Sequence, residues 1–172
     1  MDCKKALVEA DGDMDKAIEE RRKKSPLKAA KKAGRTAANG LLGVKVAEDG
    51  TRMAMVEVNI ETDFAAKNEK FIAFVSKVAQ TLFDHGDMAA VSESLNAERE
   101  TLVQEIGENM TIRRGHVVES AEGALSYSIR GDQRRGAIVQ LTATSDEVGP
   151  DLAMPVVAIH PMVVKSDDVS AD

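Results

Sequence analysis

Cysteine is nearly missing from this chain, which has Cys3 as its one thiol among 172 residues. An intrachain disulfide is thereby excluded, and a lone thiol fits a reducing compartment such as the cytoplasm. Long apolar runs are missing too. None approaches the roughly 20 residues that span a bilayer, and Met1 leads straight to Asp2 and Lys4 without a signal-peptide core, so neither membrane anchoring nor secretion is expected. Chemistry-bearing groups are scarce. His85, His116 and His160 stand far apart, with no helical His-Glu pair and no cysteine pair at metal-ligand spacing, so no metal site is expected. No Gly-x-x-x-x-Gly-Lys-Ser/Thr run occurs, and Gly107-Glu108-Asn109 is too short to hold a nucleotide. Carboxylates are abundant but scattered along helix faces, where solvation explains them better than acid and base catalysis. The expectation is a protein with no cofactor and no chemistry of its own, acting by contact with a partner.

What is present suffices for a fold. A hydrophobic share of 43% is enough to bury a core in one domain or two small ones. The net charge of -6 argues against wholesale nucleic-acid binding, which depends on phosphate neutralisation by Lys and Arg. A local basic run from Arg21 to Arg35 leaves two readings open, an RNA-binding patch or a solvated helix face beside Glu19 and Glu20. It contains no aromatic residue to stack a base, which favours the solvated face and makes nucleic acid an unlikely partner.

Along the chain, Asp2 to Lys24 reads as two short helices broken at Asp11-Gly12-Asp13, with Asp13 capping the second. Their apolar stripe is narrow and needs a further packing partner. Ser25-Pro26 is expected to interrupt, Pro26 opening a new helix that runs through Ala38 and closes at Gly40. The period then becomes alternating, with Leu42, Val44 and Val46, then Ala54, Val56, Val58 and Ile60 after the turn Glu48-Asp49-Gly50, a hairpin signal. A helix starting at Thr62 or Asp63 carries Phe71, Phe74, Val75, Val78 and Leu82 on the side that packs on the sheet. It ends at His85, Gly86 and Asp87, and a second helix spans Leu95 to Ile106, stopped by Gly107. Thr111 to Val118, Ala124 to Ile129 and Ala137 to Thr144 read as strands, with Gly131-Asp132 as the last turn.

Several segments resemble the elongation factor Ts family. Met1 to Leu7 is similar to the end of the signature in that family's UBA-like N-terminal module, and Lys28 to Arg35 to its linker. Glu57 to Asn68 resembles the central signature, Ile106 to Arg114 a second one, and Asp168 to Ala171 a later segment. The resemblance implies an α+β fold: a truncated UBA-like module over 1–24, a linker helix over 25–40 and a core domain over 41–172, in which a small antiparallel sheet is flanked by helices. It also implies a helix before Met1 and more chain beyond Asp172.

Function follows from the same resemblance. It implies guanine-nucleotide exchange on elongation factor Tu in translation elongation, with Thr62, Asp63, Phe64 and Ala65 reaching the partner and disturbing its magnesium ion. A binding-only fragment without exchange activity is the alternative. From the residues alone, Thr62 or Asp63 is a plain helix cap, and Phe64 reads as core because it lies seven residues before Phe71. Against that, Lys67 and Asn68 interrupt the apolar stripe where Phe64 would extend it. Pro155 stands where the family usually has a histidine, so that contact is not carried over, and Val156 to Val164 is expected to be extended.

Overall fold

The computed structural model describes residues 2–122, 124–143 and 147–169. Met1, Thr144, Ser170 and Ala171, on which parts of the expectations above fall, lie outside the described residues. The architecture is α+β, with helices flanking two small antiparallel sheets.

The helices α1 (Asp2–Glu9) and α2 (Met14–Lys32) are separated by the Asp11-Gly12 turn. Gly12 donates its amide to Leu7 at 2.8 Å, and Asp13 caps α2 by accepting the Lys16 amide at 3.1 Å. Among the described residues, a small cluster of Ala6, Ala10 and Ala17, with Leu7 alongside, packs between these helices. Contrary to expectation, α2 does not break at Ser25-Pro26. Proline there removes one backbone bond. Ser25 and Ala29 are buried, and the Ser25 hydroxyl reaches both the Arg21 carbonyl and the Gln104 side chain of a later helix, so tertiary packing holds the helix through the proline. The helix also ends at Lys32 rather than at Ala38. Its end is met by Asn109, whose amide nitrogen donates to the Arg35 carbonyl at 2.7 Å and the Ala33 carbonyl at 3.4 Å.

The strands β1 (Asn39–Val46), β2 (Arg52–Ile60) and β3 (Met110–Glu119) form one antiparallel sheet in that order. Gly40 thus lies inside β1 rather than closing a helix. Asp49 and Gly50 make the expected turn between β1 and β2. In register, Leu41 faces Val58 and Gly43 faces Val56, which places Ala54, Val56, Val58 and Ile60 on one buried face. Leu42 and Val44 pair with Glu57 and Met55 on the opposite face. A bulge between Glu57 and Val58 shifts the pairing with β3, and Glu57 accepts from Arg113 at 3.2 Å and Arg114 at 2.6 Å.

On the buried face lies α4 (Glu69–His85), with Phe71, Phe74, Val75, Val78, Ala79 and Leu82 inward. Burying each larger member contributes on the order of 2 kcal/mol. The stretch from Thr62 is not one helix as expected. It is a four-residue turn of helix, α3 (Asp63–Ala66), then Lys67, then Asn68 as a fresh cap for α4 that accepts the Lys70 amide at 2.9 Å. The two polar residues that interrupt the apolar stripe mark the break. Gly86 ends α4 at φ 74 and Gly107 ends α5 (Met88–Ile106) at φ 92, left-handed conformations that glycine adopts without strain. Helix α5 begins seven residues before the expected Leu95, because Asp87 accepts the Ala89 and Ala90 amides.

The hairpin β4 (Leu125–Arg130) and β5 (Arg135–Gln140) forms the second sheet, with α6 (Val148–Ile159) across it. The strand β5 stops at Gln140, short of Thr144. Residues Val156 to Ile159 are helical, against the expectation of extended chain. Buried Gly149, Ala153 and Val157 hold α6 on the hairpin, and that packing offsets the bond lost at Pro155. His160 caps α6, donating its amide to Val156 at 3.0 Å.

Candidate functional site

Thr62, Asp63, Phe64 and Ala65 sit at the end of β2, where the sheet hands the chain to α3. Thr62 takes an extended backbone, and its hydroxyl oxygen accepts the Ala65 amide at 3.2 Å. This cap orients the short helix. Ala65 and Ala66 face the core, which forces the intervening side of the turn outward. Phe64 projects there with 82% of its surface exposed. Asp63 and Lys67 are one helical turn apart at 4.0 Å, an exposed pair of small energetic weight. The sequence reading of Phe64 as core assumed that it shared a helix with Phe71; the break at Asn68 removes that relation.

The base of the tip is tied to three elements. Glu108, just past α5, accepts the Thr62 amide on Oε2 at 2.9 Å and the Thr62 hydroxyl on Oε1 at 2.7 Å. Glu61 reciprocates, accepting the Asn109 amide at 2.6 Å, while its own carbonyl accepts from Asn39 Nδ2 at 2.8 Å. Arg35 lies 3.6 Å from Glu61, and Asn109, buried to 4% exposure, reaches back to the end of α2. Lys32 closes the corner near Gly107; burial pushes its ammonium below the ordinary lysine value, and the charge of Arg35 adds to this. A charge-assisted network of this kind holds the backbone of Thr62 in place while leaving Phe64 in solvent.

The sequence reading named Thr62 to Ala65 but not Glu61, Glu108 or Asn109, which anchor that turn. The available signal was Gly107-Glu108-Asn109, a helix stop followed by two polar residues that the fold then buries or half-buries.

Part of the basic run is paired within the first two helices. Lys23 pairs with Glu19 and Glu20, and Lys24 with Glu9; the hydrogen bonds that the lysines donate to these carboxylates push both lysines up. Among the described residues no group of three His, Cys, Asp or Glu side chains gathers as a metal cage, and no helix is long and apolar enough to cross a membrane.

Comparison with known proteins bears on the identity of this tip. The family model described as elongation factor TS matches residues 61–172, starting at the tip. Elongation factor Ts of Saccharophagus degradans is 49% identical over 175 residues, covering 100% of this chain and 60% of that protein. Elongation factor Ts of Hahella chejuensis is 46% identical, covering 99% of this chain and 60% of that protein. The Arthrospira platensis protein of the same name is 43% identical, over 98% and 71% respectively. The chain spans about 60% of the length of the first two of these relatives. A match that includes the tip, together with identity across the whole chain, means that this chain belongs to the elongation factor Ts family.

Proposed function

We propose that this chain promotes release of guanine nucleotide from elongation factor Tu, and that Phe64 with Thr62, Asp63 and Ala65 is the part that acts on the GTPase. The exposure of Phe64 on an anchored turn carries the reading: a large apolar side chain left in water on a rigid support is what interfaces bury as an anchor. The partner's magnesium bridges phosphate oxygens and demands near-octahedral geometry. An aromatic wedge that shifts its surroundings loosens ion and nucleotide together. No covalent step is needed. A chain that binds the empty GTPase more tightly than the loaded one weakens nucleotide binding by the same factor.

The length of the relatives favours one second reading, in which this span docks on the GTPase without accelerating release. Stopped-flow release of fluorescent GDP from elongation factor Tu separates the two. Acceleration that saturates with added chain supports exchange; an unchanged rate at saturating chain, with binding detected by calorimetry, leaves docking alone.

A further inference from the structure

A cleft of about 530 Å³ lies where the tip of the β4–β5 hairpin crosses the outer face of the main sheet. Its polar lining is Arg114, His116, Arg134, Arg135 and His160 against the single carboxylate of Glu57. Sequence reading left the two histidines unrelated; the fold brings both to this cleft. Glu57 is already engaged by Arg113 and Arg114. Among the described residues no carboxylate lies within salt-bridge distance of Arg134 or Arg135. The lining therefore carries an excess of positive charge in a chain whose net charge is -6.

The cleft is built rather than incidental. The Leu42 amide, on the free edge of β1, donates to the Gln133 carbonyl at 2.7 Å, which seats the hairpin turn on the sheet. Gly136 packs so closely over Leu42 and Met55 that a Cβ there would lie 2.9 Å from the leucine. Asp132 and Gln133 both take positive φ, at 54 and 63, a left-handed conformation that strains a residue such as glutamine. That strained turn is what delivers Arg134 and Arg135 to the rim.

The geometry points to this cleft as a binding site for a phosphate-bearing small molecule. Guanidinium forks match the several acceptor oxygens of a phosphate, and three of them exceed what one carboxylate can use. Leu42, Met55 and Ile138 supply an apolar wall for the rest of the ligand, and the volume falls in the range of small-molecule sites. The site stands apart from the Phe64 tip and is independent of the exchange reading.

The test titrates the chain with inorganic pyrophosphate at low ionic strength, following the amide resonances of Gly115 and Gly136 by NMR and the affinity by calorimetry. Saturable shifts at both glycines are expected. The double variant Arg134→Gln, Arg135→Gln is expected to weaken affinity by about tenfold or more, as loss of charge-assisted bonds implies. Arg22→Gln with Lys31→Gln removes the same charge from α2 and is expected to leave affinity unchanged. Arg134→Lys with Arg135→Lys keeps the charge without the forks, stays folded by its melting temperature, and is expected to lose part of the affinity. The inference is overturned if no saturable shift occurs, if the α2 variant weakens binding as much as the cleft variant, if the lysine pair keeps full affinity, or if an oligouridine displaces pyrophosphate from the cleft at lower concentration.

Discussion

Glu108 holds Thr62 with both carboxylate oxygens, one on the backbone amide and one on the hydroxyl, across 46 positions of sequence. The Thr62 hydroxyl thereby donates to Glu108 while its oxygen accepts from Ala65, so the start of α3 is locked to the corner between α5 and β3. Glu108→Ala removes both acceptors and is expected to cost about 1–3 kcal/mol of stability, measured by urea denaturation. Under the exchange reading it also slows GDP release. Unchanged stability would show that the two bonds do not constrain the tip.

Gly43 lets α4 approach the sheet closely. A Cβ there would stand 2.9 Å from the Val75 carbonyl oxygen and 2.9 Å from a Val75 methyl, and a backbone oxygen cannot move alone. Gly43→Ala is expected to force α4 outward and to cost about 2 kcal/mol, the scale of an overpacked core. Thermal melting checks this, and a neutral or stabilising result would mean that the helix shifts freely.

Pro155 breaks a local rule without a side-chain role in the core, since its own ring is exposed while Ala153 and Val157 pack inward. Pro155→Ala restores an amide that can bond the Asp151 carbonyl. The gain is expected to be about 2 kcal/mol after the greater freedom of the unfolded chain is deducted. A lower melting temperature would contradict it.

Glu57 gives the fold a pH dependence. Burial raises its carboxyl, but the hydrogen bonds of Arg114 and Asn59 and the charges of Arg114 and Arg113 outweigh this, so it lies below its ordinary value. A carboxyl lowered by folding contributes stability at neutral pH that is lost as pH falls through the folded value. Glu57→Gln is therefore expected to melt below the wild-type chain at neutral pH, with the gap closing as the pH falls below the ordinary glutamate range. A gap that persists undiminished in acid would assign the loss to packing instead.

Local signals read well in the sequence. The Asp49-Gly50 turn, the glycine stops at Gly86 and Gly107, the Asp13 cap and the Phe71 to Leu82 stripe each depend on near neighbours. The misreadings have two causes. At Pro26 and Pro155 a local breaker was overruled by packing against α5 and the β4–β5 hairpin, and at Asp87 a cap seven residues early outweighed the apolar pattern that begins at Leu95. Thr62, Asp63, Phe64 and Ala65 were singled out by family resemblance, and the exposure of Phe64 is what the fold adds to that expectation. The clamp from Glu108 was not read, because its one local signal, the polar pair after the Gly107 stop, does not say which distant residue it holds.

The most direct measurement is GDP release from elongation factor Tu by Phe64→Ala at saturating concentration, alongside its melting temperature. Because Phe64 is 82% exposed, the variant is expected to lose less than about 1 kcal/mol of stability while its maximal release rate falls by about tenfold or more. A variant that releases GDP as fast as the wild-type chain, or one that unfolds like a truncated core aromatic, would contradict the account.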